Sequence, residues 1–290
     1  MSERNSNGRP ASAMLDAITP VLLTWNESAN IGRTLAKLAW ARDIVVVDSG
    51  STDETLQILK DNPRVRLFER KFDNHPNQWR YAVGETGIGT PWVLRLDADY
   101  QLPEAFVVEL ASIDPAGEVS AYIAEFDYAV FSQKLIASLY PPKPVLLRQS
   151  CYTISDEGHT EGWVVRGAVG KLRERIEHDD WKSMRDWVVA QARYMTLERN
   201  RLKWKRAGLR DWLRMHPPLM PIAVFFYCLV WKRLLFSGRA GLLYTLQRTL
   251  AEGILALFIL ENALMKRHSD AEQGVWEEKK AAGTESAGAG

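Results

Sequence analysis

The sequence predicts an α/β protein with a mostly parallel sheet, and three observations carry that expectation. Short apolar runs alternate with helix-period segments from Ile18 to Asp99. Three of those runs end in polar clusters: Thr24-Trp25-Asn26-Glu27, Asp48-Ser49-Gly50-Ser51-Thr52-Asp53 and Asp97-Ala98-Asp99. Repeated βα units make parallel sheets, whose ligand sites lie at the carboxyl ends of the strands, where all three clusters fall. At 290 residues the chain has room for one substantial domain and an appendage.

Each element has its own signal. Val21 to Thr24 is a short apolar run suited to a buried strand. Ile31, Leu35, Leu38 and Ala39 recur at helical spacing, with Ser28 or Asn30 as N-cap. The β-branched run Ile44 to Val47 is a second strand, and Ser51-Thr52-Asp53-Glu54 offers cap chemistry for a helix carrying Leu56, Ile58 and Leu59. Val65 to Phe68 is a third strand, Gln78 to Val83 a short helix, and Trp92 to Leu96 a fourth strand. Ala121 to Phe126 and Val145 to Leu147 read as further strands. Ser183 to Leu197 reads as a helix with Met184, Trp187, Val188, Gln191 and Met195 on one side.

Composition shifts after Trp204. Pro217 to Trp231 carries no charge but falls short of the roughly 20 residues of a simple span. Leu242 to Leu264 is apolar yet contains Arg248 and Glu252. Helices lying in the membrane interface, or a re-entrant hairpin, fit these segments better than two clean spans; a helical subdomain packed on the core is the alternative. Arg199, Arg201, Lys203, Lys205, Arg206, Arg210 and Arg214, with Trp204 and Trp212 between them, suit anionic headgroups. The expected organisation is a disordered leader over residues 1–15 without a secretory h-region and a globular domain over 16–205. A membrane-associated helical region over 206–268 and a disordered tail over 269–290 complete it.

The formal net charge of +1 gives no whole-protein field for nucleic acid. Cys151 and Cys228 have no metal-ligand partner at short spacing, which fits a reduced compartment. No Gly-x-Gly-x-x-Gly, P-loop, zinc spacing or Gly-x-Ser-x-Gly elbow is present.

Two carboxylates at i and i+2, where a buried strand runs out, can hold Mg²⁺ or Mn²⁺ against a diphosphate. On the residues alone, Asp97 and Asp99 also read as a strand end and turn cap, and Asp48 and Asp53 as turn formers. The order of the three clusters resembles the family 2 glycosyltransferases, which carry the GT-A fold, a Rossmann-like nucleotide-diphospho-sugar transferase domain. The resemblance covers roughly Ile18 to Arg199, is firmest over Pro20 to Leu102, and is similar to the lipopolysaccharide core glucosyltransferase branch.

That resemblance implies an inverting, metal-dependent transfer of a hexose from a UDP-linked sugar to a glycan or lipid-linked acceptor. The setting would be the cytoplasmic face of the cell membrane, with the C-terminal helices on the membrane surface. By the same resemblance Asp97 and Asp99 hold the cation, Asp99 most directly, and Asp97 also faces the donor. His178 is a third metal or phosphate ligand. Thr24, Asn26, Glu27 and Asp48 contact the nucleotide, and Arg80 faces its phosphates. The general base falls in Ser155 to Trp163, with Glu161 as the base and His159 as a donor contact, although this stretch departs from the Glu-Asp pair of many members. Asp179 and Asp180 read as N-caps. A nucleotidyltransferase would show a Gly-rich basic loop after the first strand, absent here; a non-catalytic membrane adaptor that keeps the fold is the remaining alternative.

Overall fold

The computed structural model describes residues 13–156, 161–204 and 208–286. Its strands are β1 (Ile18–Thr24), β2 (Ile44–Asp48), β3 (Val65–Glu69), β4 (Trp92–Asp97), β5 (Tyr100–Gln101), β6 (Val119–Ala124) and β7 (Phe126–Val130). They continue as β8 (Gln133–Lys134), β9 (Lys143–Arg148), β10 (Tyr152–Asp156), β11 (Glu161–Val165), β12 (Ala168–Lys171) and β13 (Ile176–Asp180). The helices are α1 (Ala13–Asp16), α2 (Ile31–Lys37), α3 (Thr55–Lys60), α4 (His75–Gly84), α5 (Glu104–Ala111), α6 (Met184–Trp204), α7 (Gly208–Arg214), α8 (Leu219–Phe226) and α9 (Gly238–Ser286).

Among the described residues the main sheet has seven strands in the order β12-β6-β9-β4-β1-β2-β3. β1 to β4 are parallel where they pair, as the βα alternation predicts, while β9 enters antiparallel between β4 and β6. Alternation along the strands splits the core. Leu22, Val46, Leu94 and Leu96 pack with Leu35 of α2 and Phe106 of α5 on one face. Val21, Val45, Val47 and Val93 pack under Trp79 and Ala82 of α4 on the other. All five residues of β2 have zero exposure, and full burial of its Ile and Val side chains contributes roughly 1.5–3 kcal/mol each.

A second sheet, ordered β5-β13-β7-β8, rises beside the end of β4. Its β5 begins right after Asp99 and pairs antiparallel with β13, setting Tyr100 opposite His178. The hairpin β10–β11 folds onto α4, with Trp163 edge-on to Trp79 at 5.5 Å between ring centroids.

The described parts of the two expected disordered ends are helical, while residues 1–12 and 287–290 lie outside the described residues. Met14 and Leu15 form a helical turn in the main core, because their apolar side chains complete the α5 side of the sheet. At the other end α9 runs to Ser286, through an Ala-, Glu- and Lys-rich stretch that favours helix.

The helical region is no detached appendage. Tyr128 and Leu135 of the globular part pack against Val224, Cys228, Leu234 and Tyr244. Met195 and Leu202 of α6 pack against Leu255 of α9. Arg214 joins Glu198 of α6 to Glu252 of α9, and Arg201 adds Glu198 and Asp211, each at 2.8 Å. Arg201 and Arg214, expected to face headgroups, are therefore turned inward by buried carboxylates. Arg248 likewise lies over Tyr244 and Trp187. The opposite side of α9 exposes Leu242, Leu246, Leu250, Leu257 and Leu264, and α8 with the turn after it exposes Ile222, Phe226 and Val230. Leu234–His268 is long and apolar enough to cross a membrane by length and composition, with 33% of its most apolar window buried.

Candidate active site

The loops after β1, β2 and β4 meet on one rim of the sheet. Asp48 pairs in register with Thr24, and Asp97 with Leu23, so the two aspartates flank β1 at the same end. Two interstrand spacings separate their backbones by about 10 Å.

The loops after β1 and β2 are stitched together by short polar side chains. Asn26 donates its backbone N–H to Ser51 Oγ at 2.8 Å and accepts from the Thr52 N–H at 2.8 Å. The Glu27 N–H reaches Thr55 Oγ1 at 2.7 Å, and the Ser28 N–H reaches Asp53 at 3.1 Å. Asn26 holds φ at 53°, a left-handed conformation that Asn tolerates better than most residues. Asp53 also accepts from the Thr55 N–H at 3.0 Å, the turn-capping work its sequence suggests.

Asp48 departs from its expected role. Its carboxylate, with no exposure, accepts from Thr24 Oγ1 at 2.7 Å, Ser51 Oγ at 2.6 Å, and the backbone N–H groups of Gly50 and Ser51 at 2.9 and 2.7 Å. Four donors fill the acceptor sites of a carboxylate, leaving none for a base edge. Asp48 shapes the rim instead, and Gly50 supplies the φ of +89° that the turn needs. Thr24 is spent on the same carboxylate.

Asp97 and Asp99 present the opposite state. Asp99 Oδ2 lies 3.1 Å from His178 Nε2, while Asp99 Oδ1 is buried without a hydrogen-bond partner among the described residues. Burial would raise the Asp99 pKa, but the His178 contact outweighs it and the net direction is down. Asp97 accepts from Tyr140 Oη at 3.2 Å and lies 3.8 Å from Lys143 Nζ. Burial acts upward there too, yet the charges of Lys143 and Arg95 hold Asp97 well below the usual carboxylate range. Both groups are thus ionised across the neutral range. His178, reached through Nε2, is held between Tyr140, stacked at 4.5 Å, and Tyr128 at 4.5 Å. The contact sets Nε2 of His178, the expected third ligand, beside the Asp99 carboxylate.

Glu27 extends this cluster toward α6. It pairs with Lys182 and accepts from Asn30 Nδ2 at 3.0 Å. Burial pushes the Glu27 carboxyl up to about 7, against the lowering effect of Lys182. Burial acts downward on Lys182, but the charges of Glu27 and Asp180 outweigh it and raise it. The lysine therefore keeps its proton while Glu27 is the member that titrates near neutrality. Asn30, an expected N-cap, makes no side-chain cap bond to α2. It ties Glu27 to Asp180 at 2.8 Å and accepts from the Trp181 N–H at 2.9 Å. Asp179, also an expected cap, instead receives Arg33 at 2.9 Å. Asp180 accepts from the Lys182 N–H at 2.9 Å, ahead of α6, and it is Ser183 Oγ that accepts from the Asp186 N–H of the first turn at 3.2 Å.

Arg80 is exposed and donates to Asn77 at 2.7 Å and to the Ile154 carbonyl of the hairpin at 2.6 Å. His159 lies outside the described residues. The Glu161 backbone opens β11 opposite Asp156, in a hairpin whose Trp163 reaches the Arg95 guanidinium on β4 at 5.3 Å.

Tyr140 and Lys143 are neighbours of Asp97 that the sequence did not disclose. They reach Asp97 because β9 pairs antiparallel with β4: Trp92 faces Arg148 and Leu94 faces Leu146, so the same register brings Lys143 toward Asp97. No local motif encodes that pairing.

Among the described residues no three His, Cys, Asp or Glu side chains form a ready-made metal cage. Mg²⁺ and Mn²⁺ do not require one when substrate phosphates and water complete the shell. An ionised pair with a buried, unpartnered oxygen fits such a cation.

The α/β domain with acidic side chains on this rim is of the GT-A glycosyltransferase class. The sequence profile described as Glycosyl transferase family 2 matches residues 20–169, and the chain belongs to that family. It is similar to the lipopolysaccharide core biosynthesis glycosyltransferase LpsC of Rhizobium meliloti (strain 1021), 23% identical over 87% of this chain and 93% of that protein. An uncharacterized glycosyltransferase of Rickettsia prowazekii (strain Madrid E) is 30% identical over 37% of this chain and 36% of its own. Among solved structures, S. aureus TarS in complex with UDP matches with a TM-score of 0.41 at 14% identity, covering 81% of this chain and 90% of that one.

Proposed function

We propose that the protein is an inverting hexosyltransferase that uses a UDP-linked sugar and a glycan or lipid-linked acceptor of cell-envelope polysaccharide or lipopolysaccharide synthesis. The observation that carries this reading is the ionised Asp97/Asp99 pair at the end of β4, with Asp99 Oδ1 buried and unpartnered. Family membership and the likeness to LpsC over most of both chains support it.

In this reading Asp97 and Asp99 hold a divalent cation, Mg²⁺ or Mn²⁺, and His178 aligns Asp99. When bound, the cation supplies charge neutralisation for the diphosphate leaving group. Tyr140 and Lys143 fix the second Asp97 oxygen. Asn26 and Glu27 form the nucleotide edge of the site, with Glu27 placed to accept ribose hydroxyls while Lys182 adds positive charge beside the leaving phosphates. Glu161 removes the proton of the acceptor hydroxyl, directly or through one water, and His159 completes that loop as a donor contact. The exposed leucines of α9 and the aromatic residues after α8 rest in the cytoplasmic interface of the membrane, while Glu252 and Arg248 face protein.

The test is calorimetric titration of UDP with and without Mn²⁺, followed by a screen of nucleotide sugars for release of free nucleoside diphosphate. Binding that needs Mn²⁺, and release that a chelator stops and Mn²⁺ restores, are the expected results. Absence of UDP binding under both conditions, or turnover indifferent to chelation, overturns the reading. UDP binding without turnover on any sugar would favour the adaptor.

A further inference from the structure

Asp48, the expected reader of the base edge, has no acceptor left for that work. The polar side chains around it are engaged as well. Thr24 and Ser51 donate to Asp48, Ser49 Oγ receives Gln78 at 2.8 Å, and Arg70 pairs with Asp73 at 2.9 Å. Another side chain reaches the same loops from outside the sheet. The Arg193 guanidinium of α6 lies 5.2 Å from the ring of Trp25, in the loop after β1, and 4.1 Å from the ring of Phe72, in the loop after β3. Building on the transferase reading above, we infer that Arg193 determines base specificity, donating to the O4 carbonyl of uracil and so selecting a uridine over a cytidine nucleotide.

Three observations point to this role. The first is placement. In the sheet β2 lies between β1 and β3, so Trp25 and Phe72 stand on either side of the loop that Asp48 shapes. Trp25 adjoins Asn26, which is itself tied to Ser51 and Thr52. With a diphosphate held at the end of β4, on one side of β1, a base one ribose away falls on the other side, where Arg193 stands.

The second is the course of α6 over this rim. Lys182, just ahead of the helix, pairs with Glu27. Burial raises the hydroxyl of Tyr194, the neighbour of Arg193; Lys182 acts against that rise, while the charges of Glu27, Asp97 and Asp99 add to it. Tyr194 is thus close to the cation-holding end of the cleft, and Arg193 covers the nucleotide end.

The third is the chemistry of the guanidinium. Its face is held by two rings, and among the described residues it forms neither an ion pair nor a hydrogen bond, so its N–H edges are unspent. A guanidinium donates and cannot accept. It matches the O4 acceptor of uracil and is opposed by the N4 amino group at the same position of cytosine. Two aromatic contacts also fix the plane of the fork, which discrimination between bases of equal size requires.

The experiment is calorimetric titration of the full-length protein with UDP and with CDP, both in Mn²⁺, for the wild type, Arg193→Ala and Arg193→Lys, with the melting temperature of each. The wild type is expected to bind UDP at least about tenfold more tightly than CDP, as one specific base contact provides. Arg193→Ala should bring the two nucleotides within about twofold of each other, chiefly by weakening UDP. Arg193→Lys, which keeps the charge but not the planar fork, should retain only part of the preference. An arginine that merely fastened the loops would weaken both nucleotides together, so a parallel loss with the ratio unchanged overturns the inference. Equal binding of UDP and CDP by the wild type overturns it too. A wild type that binds neither nucleotide removes the transferase reading and this role with it, whereas UDP bound at a ratio indifferent to position 193 removes this role alone.

Discussion

Asp48 and Asp99 are the same residue type on the same rim, and they are in opposite states. Asp48 accepts four hydrogen bonds and has no exposure. Asp99 keeps one buried oxygen without a partner. A satisfied carboxylate shapes the protein, whereas an unsatisfied one, costly to bury, is retained for something that arrives from outside. Strand-end position alone does not separate the two.

The widest test of that contrast is substitution. Asp99→Ala should cut nucleoside diphosphate release by at least about a thousandfold while the melting temperature stays near that of the wild type. Asp48→Ala should do the reverse, lowering stability by about 3 kcal/mol or more, with UDP binding lost in step with the folded fraction. Denaturant titration beside activity reads both; a stable, inactive Asp48→Ala protein would return Asp48 to the nucleotide site.

His178 sharpens the comparison at intermediate scale. His178→Gln should raise the Mn²⁺ concentration needed for half-maximal activity by about 10–100-fold, as expected for a group that orients a metal-holding carboxylate. An unchanged metal requirement would leave the ring a packing role between Tyr128 and Tyr140.

Glu27 provides a pH arm. Its carboxyl sits at about 7 in the fold, above the 4.5 of the free side chain. Ionising it therefore costs stability: the relative benefit of the neutral form is full below 4.5 and is lost as pH rises through about 7. In the proposed reading the charged form, present above about 7, would be the one that accepts ribose hydroxyls. UDP affinity should climb as pH passes through that value and show no such step in Glu27→Gln; a step that persists there belongs to another group. The smallest effect is expected at Arg80, where Arg80→Ala should change turnover less than about twofold, because its contacts run to Asn77 and the hairpin.

The succession of β1 to β4 was legible because each apolar run is short and followed by turn chemistry. Asp97, Asp99 and Glu27 were legible for the same reason: they sit where a parallel strand ends. Legibility failed for contacts made by distant pairing. Tyr140 and Lys143 reach Asp97 through the β4–β9 ladder, and Lys182 reaches Glu27 across 155 positions. Asp48 was placed correctly and misread in role, since Thr24, Gly50 and Ser51 converge on it only once the turn closes. The charges of the C-terminal segment were misread as surface features because Arg201 and Arg214 find Glu198 and Asp211 only after α6 and α7 fold together.

The buried arginine–glutamate lattice linking α6, α7 and α9 has a geometric consequence. With Glu252 and Glu198 clamped on one guanidinium, the exposed leucines of α9 and the cleft belong to a single stiff strut. Once α9 rests on a bilayer, the altitude of Asp97 and Asp99 over the lipid plane becomes a constant of the molecule. In the proposed reading, an acceptor whose free hydroxyl stands at that height would be favoured over shorter or longer chains of identical chemistry.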